Sequence, residues 1–148
     1  MPRAFLPALL CLAFSLPAHA GLYADDLSRC LVEKTTTEDK NTLVRWVIST
    51  TTLHPAVASL AKVGNEARTR INRDTARIFE RLLTERCLEQ TRQAVRVEGA
   101  AAIQSGFQTL GQVAMAEVFA DPKVAAALAE LDRHIDANRL RDALDAAK

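Results

Sequence analysis

Apolar residues recur along this chain at intervals of three, four and seven from residue 22 onward, and the strict alternation expected of a half-buried strand is scarce. The pattern predicts an all-α protein. Tyr23, Leu27, Cys30 and Leu31 form the first apolar face, and Asp25 and Asp26 stand where a helix carries its positive end. Thr36 followed three residues later by Asp39 is an acidic version of the capping box, so "TTTEDK" predicts one helix ending and another starting. In the next segment Leu43, Val44, Trp46, Val47 and Ile48 are apolar nearly all round, which predicts a helix buried on several sides with Trp46 as a core anchor. Its tail, "VISTTT", favours a strand by propensity, but no second strand is available to pair with it, so helix is expected throughout.

His54-Pro55 should close that element, because the residue before proline avoids the helical region and proline itself suits the first turn of a new helix. A short helix is expected from Ala56 to about Val63, broken by Gly64-Asn65. Then comes the longest periodic run, with Ile71, Ile78, Phe79, Leu82, Leu83 and Cys87 on one face and Arg70, Arg73, Arg77 and Arg81 on the other. Beyond Glu98, "GAAAIQSGFQTLGQVAMAEVFA" has no lysine or arginine; Ile103, Phe107, Leu110, Ala114 and Val118 carry its stripe, and small residues permit a close neighbour. Gln104, Gln108 and Gln112 would each lose water in lipid, so this segment is expected as a helix near the bundle centre and not as a membrane span. Asp121-Pro122 ends it and starts "KVAAALAELDRHI", and a last weak helix is expected from about Asn138. The sum is a single-domain bundle of about five to six helices.

Residues 1–20 change the picture. Arg3, an apolar stretch from Ala4 to Leu16 and the small residues of Ala18-His19-Ala20 have the form of a cleaved secretory signal peptide. The apolar stretch is short for a membrane span and is interrupted by Pro7 and Pro17, so the mature chain is expected to begin near Gly21, in the periplasm or secreted. Cleavage would leave 148 less 20, or 128, residues as one domain, residues 21–148, with no stable membrane insertion. Loss of Arg3 balances 18 basic against 18 acidic residues, which gives no electrostatic footprint for nucleic acid. Loss of Cys11 leaves Cys30 and Cys87, an even pair in an oxidising compartment, and a structural disulfide between them is the simplest inference. Charge is mildly segregated: residues 62–98 hold 9 basic and 6 acidic side chains, residues 117–148 hold 5 and 7, and the two segments could pack together within the bundle.

Candidate chemistry is sparse. His54 and His134 lack neighbours at metal-ligand spacing, no cofactor motif is present, and no catalytic metal or cofactor is expected. His54 is the best single candidate for binding or acid-base chemistry, although a helix-end role needs nothing more than a local hydrogen bond. The stripe Arg70, Arg73, Arg77 and Arg81 is the most binding-like surface, able to receive an acidic partner or an anionic ligand because arginine forks suit carboxylates and phosphates; Glu66, Asp74, Glu80 and Glu85 are interleaved with it and could simply solvate the face.

Taken together, "DDLSRCLV", "TTTEDK", "LVRW" and "LHP" resemble the N-terminal half of a group of small exported proteobacterial proteins without an assigned activity. The likeness covers about residues 24–60, with Cys30, Trp46 and His54 as the matching positions. It implies a helical periplasmic protein and carries over no catalytic residue. The expectation is a non-enzymatic, disulfide-stapled helical protein that binds another protein of the cell envelope, in the manner of an immunity protein or inhibitor. The alternatives are a small-molecule or lipid carrier with a pocket between helices, and an enzyme using His54.

Overall fold

A computed structural model describes residues 21–145. The signal peptide expected over residues 1–20 lies outside the described residues. Seven α-helices, with no strand among the described residues, run in the order α1 (Leu22–Lys34), α2 (Thr37–Thr51), α3 (Asn65–Arg81), α4 (Leu88–Glu98), α5 (Ala101–Ala120), α6 (Pro122–Ala129) and α7 (Ala137–Asp145). The bundle is as expected, with one division that the apolar pattern did not mark: a π-helical turn, Leu82–Arg86, splits the longest periodic run into α3 and α4, while a 3₁₀ turn, Glu130–His134, lies between α6 and the expected last helix.

The core lies where α1 packs on α4 and α5, with α2 completing the bundle against α3 and α5. Leu27, Leu31, Leu82 and Leu110 are its largest fully buried apolar side chains, joined by Ile78, Ala94 and Ala102. Cys30 and Cys87 both face this core and form a disulfide, their Cα atoms 6.0 Å apart. The three glutamines of α5 are exposed, as expected of a helix that is not embedded in lipid, and no described helix is long and apolar enough to cross a membrane.

The buried line of α5 differs from the expected stripe. Ala102, Gly106, Leu110 and Ala114 form it, while Ile103 and Phe107 pack beside it, half-buried. Close approach of α1 selects the small residues: a Cβ on Gly106 would sit 2.8 Å from Leu31 Cδ1 and 3.5 Å from Leu27 Cγ. Gly106→Leu is therefore expected to lower stability by about 2 kcal/mol through overpacking, despite the better helix propensity of leucine. Gly111 faces open space, so Gly111→Ala should raise stability by up to ~1 kcal/mol. Urea unfolding of the two variants reads both signs, and equal effects would refute close packing at Gly106.

The helix at residues 37–51 holds its β-branched tail by satisfying its own last carbonyls. Ser49 and Thr50 donate to Trp46 O, Thr51 to Ile48 O and Thr52 to Ser49 O. Arg68 of α3 adds donors to Ser49 O and, at 3.1 Å, to Val63 O. The hydroxyls thus bond back into the helix, Thr50 O and Thr51 O accept from Leu53 N and His54 N, and Ser49 O is served by Thr52 and Arg68.

Two expectations fail nearby. Within α2 only Asp39, Leu43 and Ser49 are buried; Trp46 is half-buried, edge-on to Phe79 at 5.9 Å, and Ile48 is exposed, because only α3 and α5 cover the helix. The expected helix from Ala56 to Val63 is a run of turns, held by hydrogen bonds from Val57 and Ala58 to His54 O and from Leu60 to Val57 O. Its leucine, Leu60, is 80% exposed, so nothing offsets the cost of nucleating so short a helix.

The C-terminal elements also depart from expectation. Asp121 caps α6 as foreseen, accepting from Lys123 N and Val124 N. The acidic C-terminal segment does not reach α3, however: α6 contacts α5 and the 3₁₀ turn, and α7 packs on no other helix among the described residues. Leu128, Leu131, Ile135, Leu140 and Leu144 are all exposed along this arm.

Candidate functional site

The densest polar constellation forms where α1 ends, α2 begins and the π-helical turn passes. Thr36 and Asp39 make the expected capping box: Asp39 N donates to Thr36 Oγ1 at 3.1 Å and Thr36 N donates to Asp39 Oδ2 at 3.2 Å. Asp39 is nonetheless more than a cap. Its side chain is only 8% exposed, and Arg86 donates to Oδ2 at 2.7 Å while Arg81 reaches Oδ1 at 3.5 Å. Arg86 also donates to Lys34 O at 2.9 Å, satisfying a carbonyl at the C-terminal end of α1.

The π-helical turn makes this junction possible. It widens the helix so that Cys87 N donates to Leu82 O, five residues back. The residues at its exit, Arg86 and Cys87, then both reach toward the end of α1, one by ion pair and carbonyl contact and the other by the disulfide. Burial pushes the Asp39 carboxyl up, but hydrogen bonds from Arg86 and Thr36 and the positive charge of Arg86 outweigh it. The carboxyl therefore titrates below its ordinary value.

Beside this pair lies an open cleft of about 450 Å³, lined by Arg77, Arg81 and Arg86 together with the acidic Glu38, Asp39 and Asp74. Arg77 and Arg81 stand one turn apart on α3 and are both exposed. Their acidic neighbours hold them weakly, Arg77 at 3.9 Å from Asp74 and Arg81 at 3.5 Å from Asp39. Most of their donors are open to solvent, and the planar guanidinium fork suits a carboxylate.

The arginine stripe read from the sequence thus divides. Arg77 and Arg81 enter this cleft, whereas Arg70 and Arg73 line a separate shallow depression with Asn65, Glu66 and Thr69. His54 joins neither; it is exposed, and its Nδ1 accepts from Ala56 N at 3.2 Å within its own turn. No group of three or more potential metal ligands occurs among the described residues. Arg86 was invisible to periodicity, because its role arises from the π-helical turn; its place beside Cys87 was the available signal.

A second groove of about 400 Å³ runs between α2 and α5, where Val44, Ala114 and Val118 lie beneath the Lys40–Glu117 ion pair. Its mixed lining offers no cluster of donors comparable to that on α3. No protein-family model, curated protein or solved structure matches the chain, so its function has to be inferred from this geometry.

Proposed function

We propose that the chain is an exported, non-enzymatic protein of the cell envelope that binds another protein, receiving an acidic segment of it between Arg77 and Arg81. The carrying observation is the pair of weakly held guanidiniums open to a cleft whose floor, Asp39 and Arg86, is fixed by the fold. The fixed floor holds the helix ends that carry the two forks, and the forks themselves are ordered when a carboxylate docks. Glu38 and Asp74 in the cleft lining repel densely charged polyanions and favour a partner that presents one or two carboxylates. An immunity-like or inhibitor role is the specific form suggested by size and export. A carrier would need a pocket beside the small residues of α5; Leu27 and Leu31 fill the space against Gly106, which leaves the mixed groove at Ala114 as its place.

The test is native mass spectrometry of the tagged mature chain recovered from its envelope fraction, beside Arg77→Glu/Arg81→Glu. The wild type should carry a bound protein, and the double variant should lose it with an affinity decrease of about tenfold or more while keeping its circular dichroism and melting temperature. Equal retention by both chains would sink the cleft as the binding surface. A lipid-sized mass in place of a protein would favour the carrier.

A further inference from the structure

A carboxylate from the far end of α4 closes the N-terminus of α1. Glu98 Oε1 accepts from Tyr23 N at 2.9 Å and Oε2 accepts from Ala24 N at 3.0 Å, satisfying two of the donors that a helix leaves unpaired in its first turn. Gly21, the residue just before α1, has an ordinary extended backbone, φ −68° and ψ 167°, which any residue can adopt. Space, and not conformation, calls for glycine there: a Cβ at position 21 would overlap the Glu98 carboxylate. Since a residue's nitrogen and Cβ share one Cα, the same overlap places the Gly21 nitrogen within about 5 Å of that carboxylate.

We infer that removal of the signal peptide between Ala20 and Gly21 completes this cap, by creating an ammonium at Gly21 that pairs with Glu98. Export, as proposed above, is the premise. Hydrolysis adds one water across the Ala20–Gly21 amide, leaving a carboxylate on Ala20 and a primary amine on Gly21 that takes up a proton at neutral pH. An ammonium at the positive end of a helix is unfavourable by itself. Beside Glu98 it is attractive, so processing converts a cap with two donors into one that also holds an ion pair, and the mature chain gains stability over longer forms. The choice of residue at the cleavage site and the contact inside the fold are thereby the same requirement.

Four full-length mature chains test this: one starting at Gly21 and one starting at Ala20, each with and without Glu98→Gln. The extra alanine keeps the positive charge but moves it one residue away. With Glu98 present, the chain starting at Gly21 should have an unfolding equilibrium constant about fivefold smaller. With Glu98→Gln the advantage should vanish or reverse. An equal ratio in both backgrounds, or no difference with Glu98 present, would overturn the ion pair. Acetylation of the Gly21 amine, which removes the charge and leaves every side chain intact, should reproduce the loss; an acetylated chain as stable as the free amine would also overturn it. Mass analysis of protein recovered from the envelope keeps the premise separate: a terminus at Gly21 supports processing there, and any other terminus overturns processing whatever the four chains show.

Discussion

Cys30→Ala/Cys87→Ala is expected to lower stability by about 4 kcal/mol, the loop-closure value for a bridge spanning 57 residues. That would remove a large share of the margin of a small domain, which is about 5–15 kcal/mol. The loss should also be local in its structural consequence. Without the bridge, α1 keeps its contacts with α5, and its C-terminal end stays joined to the π-helical turn only by Arg86 and the packing of the core. Urea unfolding of the oxidised wild type, its reduced form and the double variant measures the effect. Reduced and doubly substituted chains should agree, and a double variant within about 1 kcal/mol of the oxidised wild type would show that the bridge contributes little.

Asp39→Ala should cost about 3 kcal/mol, combining a lost capping box with an arginine pair stripped of its acceptor. The second contribution is less than that of a fully buried ion pair, because Arg86 is partly exposed. Asp39→Asn keeps the acceptor oxygen for Thr36 N and isolates the charge. Because the folded carboxyl titrates below its ordinary value, its contribution is present in full above the unfolded carboxyl's pKa, about 3.9, and is lost as pH falls through the folded value. The stability gap between wild type and Asp39→Asn should therefore be constant near neutrality and shrink below about pH 4. A gap that widens on acidification would contradict the ion pair. Circular dichroism melts across this range are sufficient to decide the sign.

Local chemistry was legible in the sequence where it depends on neighbours along the chain. Thr36 and Asp39 announced their capping box, Asp121-Pro122 announced α6, and the core-facing positions of Cys30 and Cys87 followed from helical spacing. Contacts with a partner distant in sequence were not legible. Residues 56–63 have helix-forming composition, yet no element covers Leu60, so they remain turns. The apolar residues around Trp46 and Ile48 predict a helix buried on several sides, but burial is decided by how many helices reach it. Half of the candidate site, Arg77 and Arg81, came from the periodic stripe; the other half, Asp39 with Arg86, required a π-helical turn that no apolar repeat encodes. Glu98 escaped notice for the same reason, since the helix end it closes lies 75 residues away.

The packing of α1 has a consequence for the order in which the protein assembles. If the chain is exported as proposed, its first residues emerge first, yet α1 finds most of its surroundings on α4 and α5, which arrive late. Its apolar face must wait through the delivery of α2 and α3. In a chain exported as proposed, Cys87 would cross ahead of α5, so oxidation would tether the waiting helix beside the π-helical turn before the groove around Gly106 exists. The covalent link then shortens the search that α5 must complete, turning a late encounter between distant segments into the closing of a preformed cradle.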